Sequence, residues 1–309
     1  MSGSYSISEN FRRYSYINGN VLIENSGIKV IKEPLRLGDD PIKYESPNVI
    51  EIKITNKCMH SCIWCHENSS EGGDNKILPD LYTKLSELPD YGYIFILSGG
   101  CILENLRGFM DIYNFLISAF STVTICVELS SIDLYRMNSL PKTFGKHLSN
   151  AFLEYPGFYC ISINSVKDLD QLNSIIKTTT DRFYWSIMLL KFDHTVFKFS
   201  LIKEFLKSED RIKVVVEGGN GKLDQKNEIL SFIKEQRLCY RKPQILFDPD
   251  AYKQLELSKL LLPSEESIYS LGWDNGYIYV DAVNGTYRKS RLGENTSWNN
   301  LSILDYYGR

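Results

Sequence analysis

No stretch of this chain approaches the ~18 apolar residues that a helix needs to cross a bilayer, so no helical membrane span is expected. The first residues, Met1-Ser2-Gly3-Ser4-Tyr5, lack a basic segment followed by an apolar one, and no secretory signal is expected. Neither sign of charge prevails. With 35 Lys and Arg against 38 Asp and Glu, the net charge is −3, which gives no global electrostatic reason to bind nucleic acid but leaves a local basic groove open. Internal repeats and low-complexity tracts are missing. An even cysteine framework is missing too: the seven cysteines stand at 58, 62, 65, 101, 126, 160 and 239, three within eight residues and the rest scattered. That pattern excludes the disulfide scaffold of a small secreted domain and points to a reducing, cytoplasmic setting. No second Cys-x-x-Cys pair accompanies the clustered three, and no cysteine follows Cys239.

What is present fits a soluble globular chain: 43% hydrophobic and 24% charged residues, enough apolar material for a sizeable core. Residues 13–33 read as a small β meander, with Asn18-Gly19-Asn20 as a tight-turn signal, and 34–48 read as a linker. From residue 49 short apolar strands alternate with helical patterns. Strands are expected at 49–55, 93–98, 123–130, 158–164, 183–190 and 212–216, and helices near 79–88, 104–120, 141–153, 168–178, 196–207 and 223–236. Six β/α units imply a parallel sheet, too short for a closed eight-stranded barrel. The expected fold is therefore α/β, a partial (β/α)6 TIM-like barrel over 49–240. It is preceded by an N-terminal β extension (1–48) and followed by a C-terminal β-rich cap (241–309). Within that cap 244–247 reads as a strand, 251–262 as a helix, and 276–288 as a hairpin turning at Asn284-Gly285.

The chemistry-bearing segment is Cys58-Met59-His60-Ser61-Cys62-Ile63-Trp64-Cys65, a C-x3-C-x2-C loop. Three thiolates hold three irons of a cubane cluster and leave the fourth open, as a catalytic centre requires. The loop follows the first strand of the β/α succession, and in such folds sites gather at the carboxyl ends of strands. A zinc site built from Cys58, Cys62, Cys65 and His60 or His66 is the structural alternative.

The spacing, the aromatic Trp64 just before the last cysteine and the β/α succession over about 49–220 together resemble the radical S-adenosylmethionine superfamily. The resemblance implies that Cys58, Cys62 and Cys65 bind one [4Fe-4S] cluster. It also implies that S-adenosylmethionine chelates the open iron, and that reductive cleavage yields a 5′-deoxyadenosyl radical that abstracts hydrogen from substrate. A reductase, flavodoxin or ferredoxin would be the electron donor. Leu97-Ser98-Gly99-Gly100 is similar to the family's Gly-Gly-Glu segment, whose backbone receives the methionine amino group. This chain departs from it by placing Cys101 at the Glu position, with Glu104 three residues on. Ser130 and Glu128 on the third strand, Ser162 and Asn164 on the fourth, and Lys191 after the fifth are further candidates for contacts to the cosubstrate. Val214-Val215-Val216 and Trp64 are candidates for contact with adenine. Cys101 and Cys239 are candidate hydrogen donors to a substrate radical, as in some family epimerases.

Each has a plainer alternative. Gly99-Gly100 reads also as a turn, Ser130, Ser162 and Asn164 as helix caps, Glu128 and Glu217 as solvent-facing and Lys191 as a solvated charge. Cys126 and Cys160, within apolar strands, read as small buried hydrophobes, and Cys101 and Cys239 as incidental thiols. The C-terminal hairpin resembles the accessory segment of peptide-modifying members, but without its cysteines one cluster is expected. The substrate classes weighed are a ribosomally made peptide, with the N-terminal meander offering an edge strand, and a nucleoside or tRNA base. A metal-stabilised binding module is the non-enzymatic alternative.

Overall fold

The computed structural model describes residues 4–7, 11–16, 19–24, 30–34, 47–60, 65, 67, 69–90, 93–121, 123–130, 133, 157–178, 188–208, 212–238, 244–261, 269, 271, 276–291 and 293–308. The chain forms two compact units: residues 1–128, 150–157 and 275–309 make one, 129–149 and 158–274 the other.

The first unit opens with a four-stranded antiparallel sheet, β1 (Ser4–Ile7), β2 (Phe11–Tyr16), β3 (Gly19–Glu24) and β4 (Val30–Pro34), in that order. Tyr16 pairs with Gly19 at the near ends of β2 and β3, while Asn18 of the expected Asn18-Gly19-Asn20 turn lies outside the described residues. The main sheet of this unit is built on β5 (Val49–Lys53), β6 (Tyr93–Ser98) and β7 (Val123–Ser130), paired in parallel. Tyr93-Ile94-Phe95-Ile96-Leu97 is a continuous apolar run because a parallel strand is covered on both faces. Two helices connect these strands, α1 (Asp80–Ser86) and α2 (Leu106–Ala119), the latter led in by a 3-10 turn, Ile102–Asn105. The i, i+3, i+4 stripe places Phe109, Ile112, Tyr113 and Leu116 in the core, and Asn105 caps α2 by accepting from the Gly108 amide at 3.3 Å. Phe120, just past α2, meets the rings of Tyr93 and Phe95 on β6, each at 5.2 Å.

The C-terminal hairpin belongs to this same unit. Its strands β12 (Tyr277–Asp281) and β13 (Thr286–Arg288) turn through Gly285, whose φ of +69° is a conformation that glycine adopts without strain. The sequence reading sets this hairpin apart as a cap. Instead β12 lies beside β5 in parallel, Tyr277 opposite Val49 and Asp281 opposite Lys53, and a short β14 (Thr296–Ser297) continues the sheet from β13. The unpaired edge of β5 is thus filled by chain from the far end of the sequence. The terminal helix α7 (Ile303–Tyr307) is capped by Ser302.

The second unit carries β8 (Gly157–Ser162), β9 (Met188–Asp193), β10 (Ile212–Glu217) and β11 (Ile245–Phe247), all parallel neighbours in that order. The helices α3 (Val166–Thr178), α4 (Phe199–Ser208) and α5 (Lys226–Leu238) alternate with them. Phe199 of α4 stacks on Phe192 of β9 at 6.0 Å and meets Phe232 of α5 edge-on at 5.3 Å. Buried Gln225 satisfies the β9–α4 corner by donating to the carbonyls of His194 and Phe197 and accepting from the Phe199 amide.

Two boundaries differ from the sequence reading. The strand expected at 183–190 runs instead from Met188 to Asp193, so Lys191 lies inside it and not beyond it. The single helix expected at 251–262 is α6 (Pro249–Gln254) followed by a separate 3-10 turn, Leu257–Lys259. The Asp248 side chain and Pro249 form a cap-and-first-residue pair that starts the helix early, and Glu256, at a φ of +53°, breaks it. The helix expected at 141–153 lies outside the described residues. Among the described residues no helix is long and apolar enough to cross a membrane.

Leu116 is fully buried on the core face of α2. Leu116→Ala is expected to lower unfolding stability by about 2–5 kcal/mol, read as a lower urea midpoint at unchanged slope.

Candidate functional site

The cysteine loop leaves the carboxyl end of β5, and both of its ends are fixed. At the first end, Lys57 and Ser70 form a β-bridge, the Cys58 amide donates to the Ser70 carbonyl at 2.8 Å, and the Ser70 amide returns to Asn56 O at 2.9 Å. The end of β6 packs against the same stretch: Gly100 N donates to Thr55 O at 2.9 Å and Cys101 N to Lys57 O at 2.8 Å. This contact explains the glycine pair. A Cβ on Gly100 would stand 2.1 Å from Lys57 O, and one on Gly99, whose φ is +126°, would stand 2.6 Å from Thr55 O. The space left by two missing side chains is filled by the main chain that leads into Cys58. Below it Asn105 donates to Ile54 O and Asn75 O, Thr55 bonds Asn75, and Lys57 pairs with Glu104 at 3.5 Å.

Cys58 and Cys65 are half-exposed, while Cys101 is fully buried with its Sγ 3.5 Å from Cys58 Sγ. Cys126 and Cys160 are buried in strands, as read from the sequence. Cys62, Trp64, His66 and Cys239 lie outside the described residues. Two buried polar atoms here lack a hydrogen-bond partner among the described residues: Ser98 Oγ, at the end of β6 just before the glycines, and His60 Nε2, inside the loop.

The second end of the loop is held by charge. Glu67, two residues after Cys65, accepts from the Tyr279 hydroxyl and from Arg288 Nη2 at 3.2 and 3.3 Å, and pairs with Lys53 Nζ at 3.2 Å. Lys53 also donates to the Glu67 carbonyl at 3.0 Å and pairs with Asp281 at 3.3 Å. Arg288 lies over the Tyr279 ring at 3.7 Å. Burial alone would lower the Arg288 pKa, but Glu67, Tyr279 and Tyr277 together outweigh it and raise the value, so the guanidinium stays charged. A neighbouring set joins Arg291 to Glu51 at 2.7 Å and to Glu128 at 2.6 Å, with the Tyr277 hydroxyl on Glu51. Burial, reinforced by Glu51 and Glu67, raises Tyr277 and Tyr279 well above the usual phenol value, so both stay protonated donors. Lys53, Glu67, Asp281 and Arg288 line a polar cavity of about 270 Å³ together with Asn56, Gly73, Asp74, Asn284 and Asn295.

The sequence reading singled out Glu128 but missed Glu51, Lys53, Glu67, Arg288 and Arg291. A signal existed: Glu51 and Lys53 alternate with Ile50, Ile52 and Ile54 in a strand buried on both faces, and charges so placed need partners. Glu128 does not face solvent, because Arg291 engages it. Ser130 exchanges hydrogen bonds with Asp133, 2.7 Å from Oγ to Oδ2, in a cap-like turn.

In the second unit, Ser162 lies opposite Lys191 in register, and Asn164 precedes the Ser165–Asp168 cap of α3. Lys191 is no solvated charge: it is buried and pairs with Glu217 at 2.8 Å, which also removes Glu217 from solvent. Beside them, burial and then the Glu217 carboxylate push Asp248 up to about 8, although it accepts from the Ala251 amide at 2.6 Å. Burial lowers His194, whose Nε2 meets Gln254 Oε1 at 3.1 Å.

No family model and no curated protein matches this sequence. Solved structures do. SuiB of Streptococcus suis, bound to the precursor peptide SuiA, superposes with a TM-score of 0.61 at 13% identity, covering 98% of this chain and 88% of that one. Native anSMEcpe with bound AdoMet and the Cp18Cys peptide superposes with a TM-score of 0.53 at 12% identity, covering 83% and 77%. A histidine-tagged form of anSMEcpe with bound AdoMet gives 0.52 at 10% identity, covering 80% and 74%. The chain shares the mixed α/β fold of SuiB and anSMEcpe.

Two outcomes follow. Gly100→Ala is expected to displace the main chain at Lys57 and Cys58, speeding alkylation of Cys58 several-fold by peptide mass spectrometry while α2 and β6 keep their amide protection. For Asp248 the folded state holds a proton that the unfolded chain, near 3.8, releases, so its contribution to stability falls as pH rises from about 4 to about 8. Asp248→Asn keeps the accepting oxygen. Relative to the parent, it should gain stability as pH rises from about 4 to about 8 in urea denaturation.

Proposed function

We propose that this chain is a radical S-adenosylmethionine enzyme with a single [4Fe-4S] cluster held by Cys58, Cys62 and Cys65. The observation that carries the reading is local. A loop with two described, half-exposed thiols leaves a parallel strand at its carboxyl end, and the glycine pair of the next strand presses on its base. Soft thiolate donors suit iron–sulfur ligation. The unpartnered Ser98 hydroxyl, one residue before the glycines, gives a polar cosubstrate something to bond. With cluster and cosubstrate bound, the centre would supply reductive cleavage of the sulfonium to a 5′-deoxyadenosyl radical, the species that takes hydrogen from substrate. The protein's own part is to orient and to exclude water. Gly99 and Gly100 keep the main chain close to the loop, and Ser162, Asn164 and Lys191 are the cosubstrate contacts we assign to the second unit. Trp64, Glu128 and Ser130 are assigned to the same task, Cys101 and Cys239 to hydrogen donation, and a partial (β/α)6 barrel to the scaffold.

We assign a peptide as substrate. Of the similar structures, one is bound to a precursor peptide and another to AdoMet and the Cp18Cys peptide, and this chain spans 88% and 77% of their lengths. β1 and β4 are the outermost strands of the N-terminal sheet, and strand addition there is the docking mode we favour.

One observation favours a second reading. The 3.5 Å between Cys58 Sγ and Cys101 Sγ is near the ~3.8 Å edge of a zinc tetrahedron with Zn–S of ~2.3 Å. A structural zinc site with Cys101 as fourth ligand is therefore the competitor.

Anaerobically prepared protein separates the two. The enzyme reading expects brown protein with broad absorption near ~400 nm, iron and acid-labile sulfide, and 5′-deoxyadenosine on addition of S-adenosylmethionine and dithionite. Cys62→Ala should abolish that product. Colourless, zinc-loaded protein that loses its metal in Cys101→Ala and makes no 5′-deoxyadenosine would replace the enzyme reading with the zinc module.

A further inference from the structure

The cysteine loop is fastened differently at its two ends. At Cys58 the fastening is backbone to backbone, through Ser70, Gly100 and Cys101. At Cys65 the nearest described anchor is one side chain, Glu67. Its carboxylate gathers Lys53 from β5 and Tyr279 and Arg288 from the C-terminal hairpin, and Lys53 holds its carbonyl as well. These partners are rigidly set. Lys53 and Arg288 are buried, Lys53 is tied to Asp281 in the register-matched strand, and Arg288 stacks on Tyr279 and donates to Arg291 O at 2.6 Å. Tyr279 lies 212 residues from Glu67 and Arg288 lies 221, so the fastening joins segments far apart in the sequence.

We infer that Glu67 is a positioning residue that sets Cys65 for metal ligation, and that it does so by clamping the end of the cysteine loop to the C-terminal hairpin through Arg288, Tyr279 and Lys53. The inference rests on the reading of Cys58, Cys62 and Cys65 as cluster ligands. A carboxylate that accepts from three separate donors fixes both its own position and the direction of the chain leaving it. Each donor sits on a strand of the same sheet, so the loop end inherits the rigidity of that sheet. Removing the charge from Glu67 takes the carboxylate from Arg288, while Lys53 keeps Asp281 and the strands stay paired. The loss therefore falls on the loop and spares the core. The hairpin thereby acts on the metal site without contributing a ligand.

The first test uses metal-free protein and needs no catalysis. In a timed alkylation with iodoacetamide followed by peptide mass spectrometry, Glu67→Gln is expected to speed modification of Cys65 about ten-fold or more. Modification of the buried Cys101, Cys126 and Cys160 should stay at the parental rate. Arg288→Met should give the same pattern. The double variant should do no more than the stronger single one, because the two residues act as one pair. Glu67→Asp, which keeps the charge, should recover part of the protection. The second test measures iron release to a chelator from reconstituted protein, with release faster in Glu67→Gln than in the parent by a similar factor. Equal Cys65 rates in parent and Glu67→Gln would overturn the inference. A rise at all the cysteines together would also overturn it, since that marks general unfolding. If the parent protein takes up no iron while Cys65 is still deprotected in Glu67→Gln, the clamp stands and the enzyme reading falls.

Discussion

A strand buried on both faces that carries Glu51 and Lys53 sets the terms for the rest of the first unit. Moving an unpaired charge out of water costs far more than one hydrophobic contact returns, so each must find an opposite charge at close range. Lys53 finds Glu67 and Asp281, and Glu51 finds Arg291 and Tyr277. Every one of those partners lies either in the cysteine loop or in the C-terminal hairpin and the turn that follows it. Neutralising two residues of β5 therefore brings three segments together and leaves the loop leaning on the hairpin. Ion pairs of this kind add little net stability over an apolar substitute, and their value here is in fixing one arrangement among several.

The glycine pair solves the complementary problem of space. Strand β6 must end against the chain leaving β5, and any side chain at 99 or 100 would occupy positions held by backbone atoms of Thr55 and Lys57. Close approach of main chain to main chain lets Gly100 and Cys101 donate to those carbonyls. Polar groups hold one end of the cysteine loop and missing side chains admit the other, and neither device requires the loop to carry much apolar surface of its own.

Much of this was readable beforehand, and what escaped did so for identifiable reasons. The parallel strands 93–98, 123–130 and 212–216 announce themselves because an apolar run of five or six residues between helical patterns has few other uses. The α2 stripe is equally plain, and the cysteine spacing is local, so it survives without knowledge of the fold. Lys191 was misplaced because residues 183–190 look as strand-like as 188–193, and only pairing with Glu217 on β10 fixes the register. The place of the hairpin was missed because parallel pairing between β12 and β5 leaves no signature in either segment alone. Glu67, Arg288 and Arg291 were missed for a related reason. Charged residues in loops and at strand ends are common on surfaces, and their burial depends on which distant strand they land beside.

Pairing of Val49 with Tyr277 has a consequence in time as well as in space. At ~5–20 residues per second of synthesis, roughly ten to fifty seconds separate emergence of the first strand from that of the neighbour that covers its edge. Throughout that interval β5 offers an open flank on which Glu51 awaits Arg291 and Tyr277, a surface that chaperones can hold or that a second nascent copy can invade. Fastening of the cysteine loop to the C-terminal hairpin is accordingly a late event in the life of the chain, governed by arrival of the strands that close its sheet.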